Sequence, residues 1–205
     1  MKLWHAIVPF RAGDEGSAGA KTRLAARLDA PARAVLAVAM AQHVLATLGG
    51  CPLLGSITVL APARPSFAPA GIGWIADLGR GLNPELAAAI ALTGPRQVLV
   101  IHADLPLVSA SDIAALLAEA AAVEAAIAPD HARTGTNALA LMNSGALQPA
   151  FLPAFGPDSL TLHRALLPHA AVVDRPGLAL DIDTPADLDR AIAAGLLRPV
   201  NADPI

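Results

Sequence analysis

Cysteine is nearly absent from this chain. The single Cys51 excludes an intramolecular disulfide and any cysteine-based zinc cluster, and it reads as a small buried or loop residue. Aromatic residues are scarce, four Phe and two Trp with no Tyr, so a base-stacking platform for nucleic acid is excluded. There is no basic excess. Fourteen Lys and Arg against seventeen Asp and Glu leave a net charge of −3, which removes the electrostatic case for a nucleic-acid partner. No run approaches the roughly 18 uncharged apolar residues of a membrane span, although 55% of residues are apolar. The N-terminal MKLWHAIVPF is too short and too quickly interrupted for a signal peptide. The expectation is a cytoplasmic protein with no membrane partner. At 205 residues it would form one domain over 1–198, followed by a loose tail over 199–205.

What is present is a series of apolar runs, each ending in small or charged residues. The central one is Val98-Leu99-Val100-Ile101, a strand buried on both faces, as in a parallel sheet under helices. It delivers Asp104 where the strand ends, a position for a metal or ligand contact or for a turn cap. Further strands are expected over 3–9, 56–61, 71–75, 125–128, 138–142 and 170–174. Helices are expected from Asp29 to about Leu48, from Asn83 to Gly94, over 109–122, from about Ser159 to Pro168, and from Thr184 to Gly195. This alternation predicts an α/β fold, a three-layer α/β/α sandwich with a mostly parallel mixed sheet.

Several stretches carry chemistry. The loop from Arg11 to Ala20 is rich in small residues and leads to Lys21 and Arg23, which suits phosphate binding or a solvated surface loop. Its spacing does not match the G-x-x-x-x-G-K-[ST] phosphate loop. Gly79 and Gly81 flank Arg80 and allow close approach of a ligand, while Asn83 and Pro84 read as the cap and first position of a helix. The turn Arg133-Thr134-Gly135-Thr136-Asn137 could line a pocket or be hairpin chemistry. Ser159 reads as a helix cap or a ligand contact. His163 and His169 read as incidental, and His102 as a strand residue near the site. Asp181 and Asp183 alternate on an extended segment, so both point to one side, and hard oxygen ligands suit magnesium or manganese. Phosphate cations, a glycine approach and three carboxylates together suggest metal-dependent nucleotidyl transfer.

AKTRL (20–24), GRGLN (79–83), HADLPL (102–107), GTN (135–137), FGPDS (155–159) and LDIDTP (180–185) stand in the order seen in the phospholactate guanylyltransferase family of coenzyme F-420 biosynthesis. The chain resembles that family from Ile7 to Leu188. The resemblance implies the nucleotidyltransferase (GT-A-like) fold and transfer of GMP from GTP to a small phosphorylated acid, with release of pyrophosphate. The acid would be 2-phospho-L-lactate, phosphoenolpyruvate or 3-phospho-D-glycerate. It also implies residue roles. Lys21 and Arg23 would hold the triphosphate, with Gly81 and Asn83 on the nucleoside. Asp104, Asp181 and Asp183 would hold Mg2+ (or Mn2+). Asn137, Gly156 and Ser159 would bind the acid. Lys21, Asp104 and Asp183 would carry catalysis. The 11–20 loop is longer and richer in glycine than the usual family loop. Rival readings are a molybdopterin or sugar-phosphate nucleotidyltransferase of the same fold, and a non-catalytic nucleotide-binding protein. The high alanine content and broad helix faces would allow a homodimer.

Overall fold

A computed structural model describes residues 3–11, 21–94, 97–142 and 151–193. The small-residue loop over 12–20, Pro95, the Gly195 helix end and the 199–205 tail lie outside these residues. Seven strands form one sheet in the order β3-β2-β1-β4-β6-β5-β7. They are β1 (Trp4–Pro9), β2 (Leu54–Ala61), β3 (Gly73–Ala76), β4 (Val98–Ile101), β5 (Ala125–Pro129), β6 (Thr136–Leu141) and β7 (Ala171–Val172). The β1–β2, β1–β4, β2–β3 and β5–β7 pairs are parallel, and β6 runs antiparallel to its neighbours β4 and β5. The helices are α1 (Ala30–Gly49), α2 (Leu82–Thr93), α3 (Ala110–Val123), α4 (Ser159–Leu166), the four-residue α5 (Pro176–Ala179) and α6 (Pro185–Ala193).

The uninterrupted apolar run of β4 explains the layering. Alternate side chains of a strand point to opposite faces. Leu99 and Ile101 enter the core shared with α1 and α3, through Val44, Leu45, Ile113 and Leu116. Val98 and Val100 enter the core shared with α2 and α4, through Leu86, Ile90 and Leu160. The expected three-layer sandwich follows, because a strand apolar on both faces needs a helical layer on each. A third, smaller core gathers Leu24, Leu28, Leu36, Met40, Leu180, Ile182 and Leu188. It clamps the 3-10 turn Thr22–Leu24 against the segment before α6.

Helix α1 is long and apolar enough to cross a membrane by length and composition. Gln42 and His43 interrupt its apolar run in the sequence. Its Leu36, Met40, Val44, Leu45 and Leu48 face packs within the cores just described. Asp29 caps it as expected, accepting from the Ala32 N–H at 2.8 Å.

Several elements differ from expectation. Helix α2 begins at Leu82 and Gly81 is its N-cap, with φ 104°, a backbone conformation that favours glycine. Asn83 is drawn off to another partner, described below. Strand β6 begins two residues earlier than expected, taking in Thr136 and Asn137. Strand β7 contracts to two residues, and Pro176–Ala179, where the sequence predicts no helix, is helical. Proline at the first helical position suits α5. Gly177 seats this helix against α3, which Ser109 and Asp112 cap reciprocally. A Cβ on Gly177 would collide with Asp112 Oδ2 and stand 2.7 Å from the Leu107 carbonyl oxygen.

Gly177→Ala is therefore expected to destabilise the fold by roughly 1–3 kcal/mol, since backbone cannot yield as a side chain can. A lowered urea midpoint with an unchanged slope would show it. A wild-type midpoint would contradict the packing described.

Candidate active site

The strand order reverses between β1 and β4. The chain moves outward from β1 to β2 and β3, then returns to place β4 on the other side of β1. Ligands in open α/β sheets bind at the carboxyl ends of strands at such a switch point. A cavity of about 260 Å3 opens there. Pro9, Phe10 and Arg11 from the end of β1 line it, with His102, Ala103 and Asp104 from the end of β4, Lys21 and Asp77 from the loops, and Leu82 from the start of α2.

At its heart the Lys21 ammonium bridges two carboxylates. It donates to Asp104 Oδ2, and to Asp183 Oδ1 at 2.6 Å. Two features bring these residues together. The third apolar core buries Leu24 beside Ile182, which sets the Lys21 turn against the 181–183 segment. The Ile182 N–H bonds the Asp104 carbonyl at 3.4 Å, tying that segment to the turn after β4. Ile182 points into the core, and Asp181 and Asp183 flank it, as the alternation predicted. Lys21 itself has φ 60°, a left-handed conformation uncommon for a residue with a side chain.

The charges of the cluster are coupled. Burial works against the Lys21 ammonium, but Asp104 and Asp183 outweigh it and raise its pKa above the usual lysine value. Burial likewise works against Asp104, yet Lys21 above all holds its carboxyl below the ordinary range. Asp181 goes the other way. Burial and then the charge of Asp104 raise its pKa, with Asp183 adding to the effect and the Asn137 amide opposing it. Asp104 Oδ1 is buried with no hydrogen-bond partner among the described residues. Among the described residues, no three His, Cys, Asp or Glu side chains form a group that could hold a metal ion.

The other expected site residues fall around this cluster. Arg23 lies exposed on the same turn as Lys21. Gly81 precedes α2 beside Leu82 of the cavity wall. Asn83 clamps the backbone of Phe155, accepting from its N–H at 2.8 Å and donating to its carbonyl at 2.9 Å. The Phe155 ring then stands 5.2 Å from the His102 ring. Asn137 is 2% exposed, and its amide donates to the Leu178 and Ala179 carbonyls and to Asp181 Oδ1. Its turn is hairpin chemistry in part: Asp130 receives the Thr134 N–H and hydroxyl. Gly156 is exposed with φ 125°, and Ser159 is the buried first residue of α4. Asp158 occupies the N-cap and makes no side-chain cap bond.

Sequence reasoning missed several groups. His163 is not incidental. It is fully buried, accepts from the Ala154 N–H at Nε2 and meets Thr136 Oγ1 at Nδ1, and burial lowers its pKa to about 4. As a neutral ring it ties the chain before Phe155 to β6. Glu85 is 1% exposed and gathers the Leu78 and Arg80 N–H groups and the Arg80 guanidinium. Chiefly because of Arg80, and against the cost of burial, its pKa falls to about 2. It thereby shapes the 78–81 loop from below. Arg11 pairs with Asp77 by two bonds of 2.6 and 2.9 Å across the cavity wall. Only spatial contact reveals these partners, which lie up to 66 residues apart.

Asp181→Asn tests the charge coupling. The raised folded-state pKa means that ionised Asp181 costs stability at pH above both its values, and the cost vanishes once both states are protonated. The variant is expected to melt higher than wild type at neutral pH. The gain should fade as pH falls below the ordinary carboxylate range. Melting curves across pH check this, and a pH-independent difference would contradict it.

Comparisons with known proteins identify the family and the fold. Residues 4–196 match the family model described as guanylyl transferase CofC like. A phosphoenolpyruvate guanylyltransferase of Nocardia farcinica IFM 10152 is 37% identical, covering 93% of this chain and 86% of its own. One from Rubrobacter xylanophilus DSM 9941 is 38% identical, covering 86% and 89%. Among solved structures, a 4-diphosphocytidyl-2C-methyl-D-erythritol synthase superposes with TM-score 0.63 at 15% identity, covering 96% of this chain and 98% of that one. The CMP:2-keto-3-deoxy-manno-octonic acid synthetase in complex with CTP gives 0.60 at 16%, covering 96% and 100%. The structural likenesses establish a nucleotidyltransferase fold, and the sequence matches carry the assignment further: the chain belongs to the CofC-like guanylyl transferase family.

Proposed function

We propose that this protein transfers GMP from GTP to phosphoenolpyruvate or a closely related phosphorylated acid, releasing pyrophosphate, as a step in making coenzyme F-420. The observation that carries this reading is the Lys21–Asp104–Asp183 cluster, set at the switch point of the sheet beside a cavity. The named relatives favour phosphoenolpyruvate among the three acids.

The pair Asp104 and Asp183, rather than a group of three, fits a divalent cation such as Mg2+. Both are hard oxygen ligands, Asp104 Oδ1 is buried with no partner among the described residues, and a cation already stands between the two. Asp104 and Asp183 would hold the ion, with Asp181 beside them. When bound, it would neutralise charge developing on the α-phosphate and the departing pyrophosphate. Lys21 would turn from the carboxylates to the triphosphate oxygens, with Arg23 further out on the same turn. An ammonium buried between two carboxylates is already desolvated, so it is prepared for that exchange.

An oxygen of the acceptor's phosphate attacks the α-phosphorus, a new P–O bond forms, and the bond to the β-phosphate bridge breaks. A phosphate monoester has its second pKa near ~6, so the nucleophile is largely ionised at neutral pH and no general base is required. Catalysis then rests on alignment and charge neutralisation. Gly81 would approach the nucleoside from the start of α2. Asn83 would act through Phe155, which it holds against His102. Gly156 and Ser159 would receive the acid at the turn following Phe155. Asn137 would serve by holding Asp181 and the end of α5 in place.

Pyrophosphate release from GTP and Mg2+, measured with each acid separately, tests the reading. Release is expected with phosphoenolpyruvate, and none with any of the three would overturn it. Asp183→Ala should lower kcat by at least roughly 100-fold, while GTP binding changes far less, because the lost interaction develops during transfer. Wild-type turnover in that variant would remove Asp183 from the mechanism.

A further inference from the structure

The Arg11–Asp77 pair has no part in the transfer just described, yet it forms one wall of the same cavity. Asp77 extends from the end of β3, where its N–H bonds the Ala61 carbonyl. Its side chain is 6% exposed and also receives the Gly79 N–H at 2.9 Å, so it is fixed from two sides. Its bonds to Arg11 use Nε and one Nη2 proton. The other end of the guanidinium, Nη1 with the remaining Nη2 proton, keeps its fork geometry, and the Arg11 side chain is 54% exposed.

Two considerations separate this pair from a phosphate clamp. First, the Asp77 carboxylate already neutralises Arg11, and a fixed carboxylate beside a triphosphate would repel it. A neutral pair with a rigid fork suits a neutral polar edge instead. Second, Phe10, Pro9, Ala37 and Leu82 supply apolar walls to the same cavity, which a planar base can fill. Lys21 and Asp104 occupy its other polar side.

The geometry points to Arg11 as the residue that reads guanine, by a forked pair of hydrogen bonds to O6 and N7, with Asp77 as the positioning residue that holds the fork in plane. This rests on the guanylyltransferase reading. O6 and N7 are adjacent acceptors and take an arginine fork. Adenine and cytosine each present an exocyclic amino group where guanine presents O6, so donor would face donor. The assignment makes a specific claim about the base. Inosine keeps O6 and N7 and lacks only the 2-amino group, so ITP should bind like GTP. The 7-deaza analogue of GTP loses N7 and should bind more weakly.

Calorimetric titration of the full chain with GTP, ITP, 7-deaza-GTP and ATP, each with Mg2+, tests this without requiring turnover. Wild type is expected to hold GTP and ITP alike and to bind ATP roughly 5- to 150-fold more weakly. Arg11→Gln should bring GTP and ITP down to the ATP level and leave ATP unchanged. Arg11→Lys should fail to restore the preference, since charge without the fork is insufficient. Asp77→Asn should reduce the ratio of GTP to ATP affinity and not the ATP affinity itself. Equal weakening of all four nucleotides by Arg11→Gln would make Arg11 a phosphate contact and overturn the assignment. An unaltered guanine preference in that variant, or ITP binding as weakly as ATP, would also overturn it. Guanine-selective binding without pyrophosphate release would strike the transfer reading alone, and no nucleotide binding would overturn both.

Discussion

One buried ammonium between carboxylates organises the end of the sheet where the cavity opens. Asp104, Asp181 and Asp183 reach the same place from two separate parts of the chain, and each charge there makes the next harder to hold. At a separation of 4 Å, two like charges repel by about 4 kcal/mol in an environment of effective dielectric about 20. Lys21 offsets that repulsion for Asp104 and Asp183, and Asp181, without a cation of its own, is pushed toward protonation. The chain gives Lys21 this place at a cost of roughly 1–2 kcal/mol, the penalty for a side-chain-bearing residue in the left-handed region. Leu24, Leu28 and Ile182 outweigh it, since full burial of such a side chain contributes about 1.5–3 kcal/mol.

Around that cluster, polar side chains hold loop backbone in position. Asn83 fixes Phe155, His163 fixes Ala154, Glu85 fixes Leu78 and Arg80, and Asn137 fixes the end of α5. Each such bond contributes about 1 kcal/mol net, but leaving its buried partner unmade costs about 1–3 kcal/mol. These residues are fixed supports that keep the cavity walls and the turn after Phe155 from drifting. That gives preorganisation, on which an electrostatic mechanism depends. The contrast is Asp104 Oδ1, which is buried with no hydrogen-bond partner among the described residues.

Much of this was legible in the sequence. The run Val98–Ile101 specified a strand apolar on both faces, and from it the layers followed. The apolar Ile182 between two aspartates fixed which way those aspartates point. Motif order carried the family and the residues that meet at the cluster. What escaped were pairings without local periodicity. Nothing adjacent to His163 signals that its ring will bridge Ala154 and Thr136, and nothing near Arg11 signals Asp77. Asn83 was misread as a cap because Asn-Pro commonly starts a helix, whereas Gly81 could adopt the capping conformation and Phe155 competed for the amide. Helix α5 left no sign in the sequence because four residues are too few to show a helical period.

If Asp104 and Asp183 hold a metal ion in the place that Lys21 fills, electron paramagnetic resonance of Mn2+ in the presence of GTP will read it. Wild type is expected to immobilise the ion, and an Asp104→Asn, Asp183→Asn variant with wild-type fold to leave it largely free. Undiminished Mn2+ binding in that variant would place the metal elsewhere.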